Sequence, residues 1–171
     1  MRSAEVLEDA LSRVREVVHD VVSGLSASQL AYRPGPDANS IAWLVWHLTR
    51  VQDDHVSEVA GTEQVWTGDG WSGRFNLPFD DFATGYGQSA ADVASVKVSS
   101  GDLLTGYYDA VHAKSLAFVR TLTDADLDQI VDARWDPPVT LGVRLVSVID
   151  DDTQHGGQAA YVRGLLPAIK Q

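Results

Sequence analysis

Hydrophobic and polar positions follow a helical period along four long stretches of this chain. The stretches cover roughly residues 4–22, 40–61, 100–122 and 140–163. Ser40 and Ser100 are good N-cap residues for the second and third stretches, and Gly164 and Pro167 follow the fourth. Four amphipathic helices of this length predict an all-α, antiparallel-rich four-helix bundle.

The connections between these helices contain turn signals and short helical patterns. We predict the following features: a helical turn at 26–30, a loop at 33–37, a short helix from Ser89, a capped turn at 123–127 and a break at 135–138. A long loop-rich stretch, 62–88, carries six aromatic residues among glycines: Trp66, Trp71, Phe75, Phe79, Phe82 and Tyr86. So many aromatics in a loop predict that it folds over something.

Length and composition suit one globular domain spanning residues 1–171. The chain has 171 residues, of which 44% are hydrophobic and 22% charged. Since no apolar run is long enough to span a bilayer and the start lacks an apolar signal core, we expect a cytoplasmic protein.

Charge and cysteine content exclude several function classes. A formal net charge of -11 disfavours nucleic acid and anionic membranes, because both attract clustered Lys and Arg. The absence of cysteine excludes disulfides, thiolate metal sites and a thiol nucleophile from the protein itself. Any thiol chemistry must therefore use a thiol brought by a substrate or cosubstrate.

The fourth helix contains a segment that breaks local rules. Three successive Asp and the pair Gly156-Gly157 lie inside a helical pattern, although both are unfavourable there. Asp151 and His155 are four residues apart and share one helix face. A carboxylate and an imidazole on an inward face form a two-ligand set that suits Zn²⁺, Ni²⁺ or Fe²⁺. Asp152, three residues before His155, is an alternative acidic ligand.

The third ligand must come from another helix, and His47 is the best candidate. It follows the inward Leu44 by three residues, so it lies on the face of the second helix that is directed at the bundle core. Three protein ligands leave positions open for water or substrate, which is typical of a catalytic site. The candidate metal ligands, and equally the candidate catalytic residues, are His47, Asp151 and His155.

Each candidate also has a structural interpretation. His47 could be a core histidine bonded to a carbonyl, and His155 could simply pair with Asp151 on the helix surface. His55 lies two turns after His47, about 12 Å away by helix rise, and could line the cavity. His19 and His112 are interpreted as structural or exposed.

Three segments resemble the DinB-like superfamily, in particular its actinobacterial mycothiol-dependent S-transferase and maleylpyruvate isomerase-like branch. They are Ser40–Leu48 (SIAWLVWHL), Asp151–Gln158 (DDTQHGGQ) and Tyr161–Gly164 (YVRG). The resemblance covers nearly the whole chain. It implies a DinB/YfiT-like four-helix bundle with a divalent metal on His47, Asp151 and His155. Family members often carry His or Glu at the position of Asp151.

The resemblance also implies an activity. Thiol-dependent members use the metal to bind and deprotonate the thiol of a cosubstrate. This predicts a transferase that conjugates mycothiol to electrophilic small molecules, as in detoxification, with Zn²⁺ as first choice of metal and Ni²⁺ or Fe²⁺ as alternatives. Gln158, Arg163 and Trp43 are candidate cofactor-binding residues. Trp66, Trp71 and Phe75 fit a pocket wall and core packing equally.

Two other functions stay open from the sequence. The same triad could use water and hydrolyse a small ester or amide. The chain could instead be a non-catalytic metal-binding bundle. We expect small-molecule partners, no nucleic acid and no membrane, and the resemblance suggests a homodimer.

Overall fold

The computed structural model describes residues 2–166, and these form a largely helical fold. In chain order the helices are α1 (Ser3–Val22), α2 (Ala27–Leu30), α3 (Ile41–Ala60), α4 (Val65–Gly68), α5 (Trp71–Phe75), α6 (Ala90–Ser95), α7 (Gly101–Val119) and α8 (Leu141–Gly164). A short 3-10 turn covers Asp126–Asp128. Within the described residues, no helix is long and apolar enough to cross a membrane.

The four long helices form the bundle that the hydrophobic pattern predicts. Helix α1 packs against α7 and α8, and α3 packs against the same two helices. Helices α1 and α3 therefore lie diagonally across the bundle, while α3 and α8 are neighbours. This placement brings the two helices that carry the candidate ligands side by side.

Helix α3 is the most enclosed element. The Ser40 side chain accepts a hydrogen bond from the backbone N–H of Trp43 at 3.1 Å and caps the helix. At the other end, Gly61 takes a left-handed conformation with φ of 64°, which terminates the helix at little steric cost. Every residue from Ile41 to Arg50 is buried, because the bundle covers one side and residues 62–88 cover the other.

The aromatic-rich segment 62–88 contains two short helices, α4 and α5, that the sequence analysis treated as loop. Trp66 and Phe75 are buried and pack against Tyr107 of α7, with ring centroids 5.1 and 5.8 Å away. Trp71 also contacts Tyr107, at 5.7 Å. These contacts correspond to the core-packing interpretation of the three aromatics.

A small hairpin precedes α8 and was not predicted. Strand β1 (Ile130–Asp132) pairs antiparallel with β2 (Val139–Thr140), and Ile130 lies opposite Thr140. The turn between them contains Trp135–Pro138, which was predicted only as a break. Helix α8 then starts at Leu141, capped by Thr140. Gly164 ends α8 as predicted, and Pro167 lies outside the described residues.

Candidate metal centre

The side chains of His47, Asp151 and His155 converge between α3 and α8. Each offers one ligand atom, and these three atoms lie within 4.8 Å of one another. The two imidazole rings meet edge to face, with centroids 4.6 Å apart and an interplanar angle of 75°. The three sequence-derived candidates therefore form one cluster, with His47 on the buried side.

The orientation of His47 is set by a backbone carbonyl and an indole ring. Its Nδ1 lies 2.5 Å from the carbonyl oxygen of Thr84, so Nδ1–H donates there and Nε2 keeps its lone pair. The Trp43 ring stacks on the imidazole at 4.6 Å with planes 15° apart. Burial lowers the pKa of His47 despite the opposing effect of the Thr84 carbonyl, which favours a neutral ring.

His155 is oriented from within its own helix. Its Nδ1 lies 2.9 Å from the backbone carbonyl oxygen of Asp151 and 3.4 Å from Oδ2 of the same residue. Burial disfavours the protonated ring, but the carboxylate and carbonyl of Asp151 outweigh this effect and raise the pKa of His155. Since Nδ1–H donates to the carbonyl, Nε2 of His155 is also available.

Asp151, rather than Asp152, belongs to the cluster. Its Oδ2 is buried and has no hydrogen-bond partner among the described residues. The side chain of Asp152 is fully buried, and neither of its oxygens has a described hydrogen-bond partner. Burial raises the pKa of Asp152 well above its usual value. Asp150 lies at the surface and accepts a hydrogen bond from Gln154 at 2.7 Å.

This donor set fits a divalent transition metal. Two imidazole nitrogens and one carboxylate oxygen are the ligands of many catalytic zinc and non-haem iron sites. Within residues 2–166, the Oδ2 atom of Asp151 is buried without a hydrogen bond and has only the 3.4 Å ion-pair contact with Nδ1 of His155, so a cation would satisfy it. The side chains of Asp151 and His155 retain 31% and 18% exposure, so the cluster is open to small molecules on this side.

The candidate cofactor-binding residues lie at different positions around the cluster. Trp43 borders it directly, and its Nε1–H donates to Oε1 of Gln88 at 2.7 Å. Gln158 is exposed, one turn beyond His155, in a groove that also includes Leu44 and Tyr161. Arg163 lies further along α8, where its Nη1 donates to the Val21 carbonyl at 3.0 Å.

The other histidines lie outside the cluster. Nδ1 of His55 is 3.0 Å from a guanidinium nitrogen of Arg144, and burial together with this cation lowers the pKa of His55. His19 bonds to Asp109 of α7 at 2.8 Å. His112 is buried against Tyr108, with ring centroids 6.0 Å apart.

Sequence reasoning missed several residues that shape the site. Thr84 and Gly85 contact His47 from the loop, and Arg50 and Asp53 form a buried ion pair one to two turns further along α3. One sequence signal could have pointed to the ion pair: Arg50 and Asp53 are charged residues on the face of α3 that is otherwise buried. A fully buried charge needs a partner, but the helix pattern alone does not identify it.

Comparisons with known proteins give a family match and a similar solved structure. The family model described as Mycothiol-S-transferase matches residues 6–168. Among solved structures, a crystal structure of a conserved protein from Enterococcus faecalis superposes with a TM-score of 0.91 at 30% sequence identity, covering 96% of this chain and 97% of that one. A comparison with curated proteins gave no match. The family match spans nearly the whole chain, and this chain therefore belongs to the DinB-like mycothiol-S-transferase family.

Proposed function

We propose that this protein is a metal-dependent S-transferase that joins the thiol of mycothiol to electrophilic small molecules. The observation that carries the proposal is the convergence of three ligand atoms from His47, Asp151 and His155 within 4.8 Å. Membership of the mycothiol-S-transferase family supports the thiol as the second substrate.

In this proposal His47, Asp151 and His155 hold one divalent ion, with Zn²⁺ preferred and Ni²⁺ or Fe²⁺ as alternatives. When bound, such an ion supplies the Lewis acidity that keeps a thiol ionised at neutral pH. The thiol proton leaves to solvent through the exposed edge beside Asp151. Sulfur then forms a bond to the electrophilic carbon, which releases its leaving group with the electron pair of the broken bond.

The surrounding side chains bind and orient the reactants. Trp43, fixed by Gln88 and by stacking on His47, provides a flat apolar wall beside the ligands. Gln158 lies exposed at the adjacent groove, and we assign it a contact with the sugar of mycothiol. Arg163 is proposed as a further contact for the thiol cosubstrate, which requires its side chain to leave the Val21 carbonyl of α1. Because the chain lacks cysteine, no protein thiol competes for the ion.

The test compares two adjacent aspartates. Protein purified without a nickel column, stripped of metal and reloaded with Zn²⁺, is incubated with mycothiol and a fluorogenic haloalkyl dye. Asp151→Asn keeps the shape of the side chain but removes its charge, and we expect kcat/KM to fall about 100-fold or more. Asp150→Asn is the matched control, because Asp150 bonds only to Gln154 at the surface among the described contacts, and its kcat/KM should stay within about twofold of the wild type.

Three outcomes would contradict the proposal. A mycothiol adduct that forms at the same rate with Asp151→Asn would mean that the cluster does not serve the reaction. Ester or amide hydrolysis without any thiol, lost in Asp151→Asn, would assign the same ligands to a hydrolase instead. Metal content near zero in the purified protein, unchanged by His155→Ala, would favour a non-catalytic bundle.

A further inference from the structure

Arg50 is a fully buried cation one turn beyond His47 on α3. Its exposed fraction is 0%, and residues three apart on a helix are neighbours on one face. A guanidinium in such a place requires both a counter-charge and hydrogen-bond acceptors. Asp53 supplies the charge, with its Oδ2 3.5 Å from a guanidinium nitrogen, and Trp66 covers the cation at 5.1 Å.

The acceptors of Arg50 lie in the loop that contacts His47. Its Nε donates to the carbonyl of Ala83 at 3.0 Å, and Nη2 donates to the carbonyl of Asp81 at 3.3 Å. The next carbonyl along the chain belongs to Thr84 and accepts the hydrogen bond from Nδ1 of His47. Arg50 and His47, one turn apart on α3, thus bind the successive carbonyls of Ala83 and Thr84.

The contacts within the loop itself are local. The N–H groups of Ala83 and Phe82 donate to the carbonyl oxygen and to Oδ1 of Asp80, at 2.9 and 2.8 Å. Residues 81–84 have no regular secondary structure, and Phe82 is 78% exposed, so its side chain contributes little packing. Gly85 has a φ of 100°, and a Cβ atom there would lie 2.6 Å from Nδ1 of His47. The loop backbone therefore lies directly against the imidazole, and its position decides which ring nitrogen carries the proton.

The other side of Arg50 is equally fixed. Asp53 accepts hydrogen bonds from the backbone N–H groups of Val65 and Trp66, at 2.9 and 2.8 Å, and from the Tyr107 hydroxyl at 2.8 Å. These contacts join Arg50 to α4 and α7, so its guanidinium has one defined position. A rigid donor of this kind can fix a loop against a helix.

We propose that Arg50 is a positioning residue for the metal centre. By binding the carbonyls of Asp81 and Ala83 it holds the Thr84 carbonyl against Nδ1 of His47. This keeps His47 in the Nδ1–H tautomer, with the Nε2 lone pair directed at Asp151 and His155. The inference deepens the proposed function, since it treats His47 as a ligand, but the tautomer itself is a property of the metal-free protein.

The test measures that tautomer by NMR of the histidine ring nitrogens in metal-free protein. In the wild type we expect a single Nδ1–H form for His47. Arg50→Lys keeps the charge but has one nitrogen in place of the separate Nε and Nη2 atoms that bind the two carbonyls. We therefore expect a mixture of His47 tautomers and affinity for Zn²⁺ about tenfold weaker or more. His155 is the internal control, because its Nδ1 bonds within α8.

Arg33→Lys is the matched control variant. Arg33 also donates to loop carbonyls, those of Ala38, Pro36 and Ala90, but these do not contact His47. We expect wild-type His47 signals and Zn²⁺ affinity in this variant. A single unchanged His47 tautomer in Arg50→Lys, with Zn²⁺ affinity within twofold of wild type, would overturn the proposal.

A second variant keeps the test decisive if Arg50→Lys does not fold. Arg50→Gln combined with Asp53→Asn removes both charges of the buried pair together, so neither is left unpaired, and the same mixture of His47 tautomers is expected. One unchanged tautomer in this double variant would refute the positioning role. If the wild type shows no transferase activity, the proposed function is contradicted but the NMR result still stands. Failure of the proposed function and failure of the positioning role are therefore distinguishable.

Discussion

At the scale of single residues, local spacing identified the candidate ligands but not the residues that orient them. Asp151 and His155 were recognisable because an acid and a histidine four apart share a helix face in any helix. Arg50 gave no such signal, since its acceptors at Asp81, Ala83 and Tyr107 come from a loop and another helix. The sequence shows which groups can coordinate a metal, whereas tertiary contacts decide the tautomer of His47.

His112 provides a pH-dependent test at this scale. Its ring is buried, its Nδ1 has no hydrogen-bond partner among the described residues, and burial, reinforced by Arg15, lowers its pKa despite the nearby Asp109. The unfolded chain therefore binds a proton near pH 6.5 while the folded protein binds it only at lower pH, so the free energy of unfolding falls as pH decreases below about 6.5. Phe at position 112 cannot be protonated. We therefore expect the melting temperature of His112→Phe to fall less than that of the wild type between pH 7.5 and 5.5. Parallel melting-temperature curves for the two proteins would contradict the burial argument.

At the scale of elements, the long helices were predictable, as were the short helices α2 and α6, but α4, α5 and the two strands were not. In a twenty-residue amphipathic helix the hydrophobic period repeats often enough to be unambiguous. Helices α1 and α3 therefore agree with their predicted bounds within one or two residues. Strands β1 and β2, with three and two residues, are too short to show a period of two. Helices α4 and α5 depend on Tyr107 and Asp53, contacts that lie far away in sequence.

The two successive glycines of α8 have different roles, and substitution separates them. A Cβ on Gly156 would lie 3.1 Å from Cγ1 of Val17, so this glycine allows α1 to approach α8, whereas a Cβ on Gly157 would meet nothing within 4 Å. We expect Gly156→Leu to lower the free energy of unfolding by about 1–3 kcal/mol through overpacking. Gly157→Leu should raise it by about 0.5–1 kcal/mol, because leucine is a better helix former. Urea unfolding of both variants measures the difference, and equal effects would exclude a packing role for Gly156.

At the scale of the whole molecule, the candidate centre connects two helices that are separated in sequence by residues 61–140. Helix α3 and helix α8 are neighbours, and the intervening chain contributes the loop that orients His47 and part of the core. Fold and site were therefore predicted together, because only the bundle brings His47 to Asp151 and His155.

A metal held between α3 and α8 should stabilise the whole fold, since the three ligands converge only when both helices are packed. For an ion at about 100 times its Kd, binding adds about 2.7 kcal/mol to the free energy of unfolding. For a protein of this size that corresponds to a rise in Tm of about 5–10 °C. We expect Zn²⁺ to produce this rise in metal-free wild type and not in His47→Ala. The control is His55→Gln, which alters a histidine two turns along α3 that bonds to Arg144 instead and should keep the full shift. An equal rise in His47→Ala would mean that Zn²⁺ binds elsewhere on this acidic chain, and a rise lost in both variants would mean that the site extends to His55.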